Sequence, residues 1–321
     1  MVILFRLLRL ELAFLLRSAF CVLLTGFLTP NLSPYIKWSM KTIARTITII
    51  SAVILFAATA FGDDPSSFPT SGLDAQSLGR GGTAIATLPG VSSTFGNPAT
   101  LTPEGYYILG VEFLDPKDAP NTSWGLSIVD TSSAIRGALS YYRDPEFANF
   151  QKELWGVAFS QRLMPSLYMG ESIHMGKYEP TATPGSEETL YAADGGLMYK
   201  LGDNVSIGYV VHNLYASDRD ILEQYSGVGI GMLLPMTIHF TADFEEDPII
   251  TGESNLRTGI EFNPMERITG RFGFQDRANG STYLTVGITY TDANGSLDAA
   301  ILYNDETDET DTVAFGLSMG L

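Results

Sequence analysis

The sequence predicts an all-β protein, a fourteen-stranded antiparallel transmembrane barrel, and three observations carry that prediction. From Gly105 to Leu321 the hydrophobic period is two, as in a strand, and not the 3.6 of a helix. The connections between the alternating segments are long and short in turn. Each segment sets large apolar side chains on one face against Gly, Ser, Thr or charged residues on the other, which suits a wall with lipid outside and polar groups within.

The chain opens on two apolar, basic stretches. Met40-Lys41-Thr42-Ile43-Ala44-Arg45 leads into Ile49, Ile50, Val53, Ile54, Leu55 and Phe56, and then into Ala60-Phe61-Gly62. A basic start, a short apolar core and small residues before the cut read as a signal peptide over 40–62, cleaved after Gly62. Its core is too short for a membrane span. Residues 1–39 lack a cleavage site and read as an upstream extension before a true start at Met40, with an N-terminal anchor as the alternative. The single cysteine, Cys21, lies there, so the mature chain from Asp63 has no disulfide. That chain carries 13 Lys and Arg against 35 Asp and Glu, a net charge of −22, which repels nucleic acid and anionic lipid.

The fourteen alternating segments are 105–114, 122–130, 134–143, 153–162, 166–175, 190–199, 204–212, 226–234, 236–244, 255–262, 267–275, 282–290, 297–304 and 312–321. The last shows the pattern plainly: Val313, Phe315, Leu317, Met319 and Leu321 against Ala314, Gly316, Ser318 and Gly320. Connections after odd strands run from 6 to 14 residues and those after even strands from 1 to 6. An outer-membrane barrel with short periplasmic turns, long outer loops and both termini in the periplasm has this rhythm. The long loops, Glu245-Glu246-Asp247 and Asp305 to Asp311 among them, hold 20 acidic and 5 basic residues. Divalent cations between lipopolysaccharide head groups would screen that charge; the plainer reading is solvation, and the spacing lacks the EF-hand pattern. A soluble β-sandwich also alternates, but fourteen apolar faces exceed what one core of limited size can bury.

Before the first strand stands Ser77-Leu78-Gly79-Arg80-Gly81-Gly82-Thr83-Ala84-Ile85-Ala86, followed by Phe95-Gly96-Asn97-Pro98-Ala99-Thr100-Leu101. A phosphate loop needs Gly-Lys-Ser/Thr after the glycines, and a dinucleotide site needs a strand before and a helix after; neither is present. These two blocks resemble the N-terminal signature of FadL-type outer-membrane transporters and the related PorV/PorQ barrels. Leu78, Gly79, Gly81, Gly82, Ala84, Asn97, Pro98, Ala99 and Leu101 match it. Asp194 to Tyr199 and Ser206 to Leu214 look more like the PorV/PorQ branch.

The resemblance implies that residues 63–104 form a hatch inside the barrel of residues 105–321. For the channel branch it implies passage of small hydrophobic compounds; for the PorV branch it implies a non-transporting scaffold that serves a secretion or surface-attachment partner. The chain departs from the pattern in being short for a fatty-acid transporter and in ending on Leu321 rather than an aromatic residue. Glycines suit a segment that passes close to lumen walls, with an ordinary periplasmic loop as the alternative.

Alternation assigns Arg136, Asp194, His212, His239, Asp243, Arg257, Glu261, Arg267, Arg271 and Asp298 to the lumen. Arg257 and Glu261 fall on one face of one strand, Arg267 and Arg271 on the next, with Arg80 as the hatch-side partner. Such a network either ties hatch to wall or orients the head group of an anionic ligand. No nucleophile motif surrounds a serine, no Cys/His cluster suggests a metal, and no cofactor motif is present, so an enzyme is not expected.

Overall fold

The computed structural model describes residues 73–87, 91–102, 105, 107–117, 122–133, 135–143, 153–178, 188–219, 221–247, 252–307 and 309–320. The leader, its cleavage after Gly62 and the boundary at Met40 lie outside these residues.

Fourteen strands form: β1 Tyr107–Pro116, β2 Ser123–Asp130, β3 Arg136–Arg143, β4 Glu153–Met164, β5 Leu167–Tyr178, β6 Glu188–Leu201, β7 Val205–Ala216, β8 Tyr225–Leu234, β9 Ile238–Glu246, β10 Ser254–Met265, β11 Ile268–Asp276, β12 Thr282–Asp292, β13 Gly295–Asn304 and β14 Glu309–Gly320. Each pairs antiparallel with its neighbours in sequence, and β1 closes on β14. Closure leaves no unpaired strand edge. Two-residue turns at 165–166, 266–267 and 293–294 mark one end of the barrel, the short-turn end; the longer connections gather at the other.

The pleat sorts side chains as the alternation requires. On β14, Ala314, Gly316 and Ser318 face inward, while Phe315 and Leu317 point out and are about half exposed. Glu245 and Glu246, expected in an acidic loop, belong instead to the end of β9, and Glu245 is buried. Its inward position continues the series His239, Thr241, Asp243, so the strand runs on while its lumen face stays polar.

Residues 73–87 and 93–102 lie against the inner wall, and all of them except Gln76 are buried. One turn of helix, α1 (Ala75–Gly79), starts at Asp74, whose carboxylate accepts from the Ser77 N–H at 2.7 Å. Two 3-10 turns follow, Val91–Thr94 and Pro98–Thr100, the second capped by the Asn97 side chain. Gly81 and Gly82 have φ of 72° and 76°, a region that favours glycine. Wall glycines receive this backbone: a Cβ on Gly273 would run into the Gly81 amide nitrogen.

Toward the long-loop end apolar side chains occupy part of the lumen. Leu73, Leu78 and Phe95 of the inner segment pack with Leu114, Tyr142, Leu154, Leu190, Tyr283 and Leu302 of the wall, and with Leu222 from the β7–β8 connection.

Candidate functional site

Strand register delivers three groups of polar side chains to the inner segment. The first lies toward the short-turn end. Glu261 on β10 and Arg271 on β11 are direct cross-strand partners, and Arg271 Nε donates to Glu261 Oε2 at 2.7 Å. Arg80, just after α1, brings Nη1 to 3.6 Å from the same oxygen. Arg271 also donates to Thr289, which donates to Asp298, and Gln76 Nε2 donates to Asp298 at 3.2 Å. One carboxylate therefore holds a wall arginine and an inner-segment arginine together. Burial pushes the Arg80 pKa below its ordinary value and Glu261 pulls it back up, and a guanidinium keeps its charge throughout.

The second group binds the backbone of the glycine block. Asp243 accepts from the N–H groups of Ala84 and Ile85 at 2.6 and 2.9 Å. Thr285 accepts from the Gly81 N–H and donates to the Gly79 carbonyl. Asn97 Nδ2 donates to the carbonyls of Ile85 and of Leu197 on β6, in space that Gly196 leaves free.

The third group faces the long-loop half. Asp194 accepts from the Asn213 N–H at 2.8 Å and stands 2.8 Å from His174 Nε2 and 2.9 Å from His212 Nδ1. His212 Nε2 lies 3.3 Å from Glu245, which pairs with Arg257. Phe95 stacks on the His174 ring. A bulge in β7 makes this possible: the register shifts opposite Asp194, and Asn213 takes a φ of 53°. Ser172 Oγ is 3.1 Å from the same His174 nitrogen that meets Asp194. A nucleophile relay needs serine and acid on opposite ring nitrogens, so this is a polar clasp in geometry.

Two clefts open at the short-turn end, and Glu261 lines both. One of about 400 Å³ is bordered by Lys200, Ser206, His239 and Asn263; the other, of about 560 Å³, by Gln76, Arg80, Arg271, Thr289 and Ser296.

The structure brings Leu78, Gly79, Arg80, Gly81, Gly82, Asn97 and Pro98 to the wall as one buried strip. Asp194, His212, Asp243, Arg257, Glu261, Arg271 and Asp298 join the three groups. Others differ from expectation. Arg257 and Glu261 do not pair with each other, because residues four apart on a strand are about 13 Å apart, whereas partners on adjacent strands lie about 5 Å apart. Arg267 is not in the lumen: it falls in the turn before β11 and meets Asp292 at 3.2 Å in solvent. Arg136 is buried at the start of β3, apart from these groups, and its Nε and Nη1 have no hydrogen-bond partner among the described residues. His239 on β9 is the cross-strand partner of Glu261 and borders the smaller cleft with it. His174, Glu112 and Glu245 were not expected; His174 shares the inward parity of Tyr168 and Ser172, and that signal was there to read. Glu112 on β1 accepts from the Ala75 N–H at 3.2 Å.

No protein-family model matches the chain, and no curated protein matches its sequence. Solved structures share its fold. The CymD monoaromatic hydrocarbon channel aligns with a TM-score of 0.58 at 12% identity, over 79% of this chain and 98% of that one. The toluene transporter TodX of Pseudomonas putida aligns at 0.53 and 13%, over 80% and 98%. A deltaS2S3 mutant of the TodX monoaromatic hydrocarbon channel aligns at 0.55 and 14%, over 79% and 99%.

Proposed function

We propose that the protein is an outer-membrane channel of the FadL type that admits small hydrophobic compounds, with residues 73–102 as its hatch. The observation that carries this reading is the apolar interior. Barrels that conduct water and ions keep a polar lumen, whereas here leucine and aromatic side chains of the wall and the inner segment pack together across part of the long-loop half, beside the charged group of Glu245 and Arg257. A compound of modest size exchanging with those side chains loses little on leaving lipid, and the polar ties below decide when it passes. The names of the neighbours, channels for monoaromatic hydrocarbons and toluene, agree with a ligand of this class. In this reading the short turns and both termini face the periplasm, and the two clefts at Glu261 are the exit.

A second reading, a scaffold of the PorV kind that transports nothing, is favoured by the close fit of hatch to wall, as at Gly81 and Gly273. Uptake of radiolabelled toluene by diderm cells with and without the protein separates the two. The channel reading expects faster toluene entry and unchanged entry of a small sugar. Equal toluene entry with and without the protein contradicts it.

A further inference from the structure

Among the described residues, the outward face of the barrel carries a charged side chain in its middle zone at one place. On β5 the outward series Leu167, Met169, Ile173 and Met175 is broken by Glu171, whose side chain is exposed. Among the described residues, no hydrogen-bond or ion-pair partner reaches this carboxylate. Its depth follows from register. Glu171 lies opposite Gly195 on β6, and Gly195 stands midway between two outward tyrosines of that strand, Tyr191 and Tyr199, each four residues away. Four residues span about 13 Å along a strand, and aromatic side chains mark the two edges of a lipid-facing band about 25 Å tall. Glu171 is therefore at mid-membrane.

Its neighbours are Phe159 and Ile173, 50% and 59% exposed, with Gln161 diagonally across on β4. Gly137 and Gly195 end the same cross-strand row. A Cβ on either would meet nothing nearer than 3.5 Å, so the barrel's own packing does not require glycine there. The row sets two protruding side chains, Phe159 and Glu171, side by side between two glycines.

Lipid tails offer no donor to a carboxylate, and an intramembrane charge is costly unless paired. The basic residues of β3, β4 and β5 outside the lumen cannot serve. Arg143 and Lys177 are at the long-loop ends of their strands, and Arg162 bonds the carbonyls of Met164 and Pro165 at the short-turn rim. A second copy docked symmetrically on this face would bring carboxylate to carboxylate. We propose that the outward face around Glu171 and Phe159 docks a different membrane-spanning protein, which presents a Lys or Arg side chain at mid-membrane. This inference stands apart from the reading of the lumen.

The test places a photo-crosslinking phenylalanine analogue at Ile173, and as a control at Ile301 on β13, in the full chain within the membrane of the organism that makes it. Each is combined with Glu171 and with Glu171→Leu. The expected result is an adduct from position 173 but not 301, reduced at least tenfold by Glu171→Leu and equally by replacing one intramembrane Lys or Arg of the captured protein. The isolated Glu171→Leu barrel should unfold at a higher temperature than the parent, since a lipid-facing charge has been removed. No adduct, an adduct of twice the chain's mass, an adduct indifferent to Glu171→Leu, or a lower unfolding temperature of that variant overturns the proposal.

Discussion

Glu261 accepts from Arg271 and faces Arg80, and both guanidinia are buried. Removing one member of a buried charged group leaves the others without compensation, at a cost of about 3–5 kcal/mol. Glu261→Gln keeps the shape and removes the charge, so it should destabilise the barrel by an amount of that order in urea unfolding from lipid vesicles. Arg271 retains Thr289 and Asp298 in the variant, whereas Arg80 loses its one ion-pair partner among the described residues. The inner segment should therefore release before the barrel unfolds, seen as protease cleavage within residues 73–102 at urea concentrations that leave the strands intact. Loss of both together at one concentration would mean that Glu261 serves the wall alone.

At the scale of elements, the glycine block and β11 are shaped for each other. A Cβ at Gly273 meets backbone atoms of Arg80 and Gly81, which cannot rotate away as a side chain would. Gly273→Ala should unseat residues 79–82, break the Gly81 bond to Thr285 and raise protease sensitivity of the inner segment, while Gly137→Ala, where a Cβ meets nothing nearer than 3.5 Å, should leave it protected. Period-two alternation made every strand legible, because a wall between lipid and lumen fixes the face of each residue. The glycine block was legible as a buried strip through its resemblance and its lack of a phosphate-loop lysine. Pairing was not legible. Arg257 finds Glu245 and Glu261 finds Arg271 through register, which turn lengths set and composition does not. The β7 bulge at Asn213 carries no glycine to announce it, and with it the clasp of His174, Asp194 and His212 stayed hidden.

At the scale of the whole molecule, the lumen is divided by depth. Apolar side chains occupy part of the long-loop half beside the charged group of His212, Glu245 and Arg257, polar ties hold the inner segment, and two clefts meeting at Glu261 open the short-turn end. In the proposed reading, a compound crossing from one end to the other displaces the inner segment or part of it. The central claim, that residues 73–102 gate passage, can be tested by locking them. Thr83 Oγ1 stands 2.8 Å from Thr241 Oγ1 on β9, and the chain after residue 62 has no cysteine. A pair of cysteines at these positions would sit within reach of a disulfide. The measurement is toluene uptake by cells carrying the Thr83→Cys, Thr241→Cys protein, oxidised and then reduced. A gate predicts uptake at the level of cells without the protein when oxidised, and recovery on reduction. Equal uptake in both states, with the disulfide verified, would contradict it.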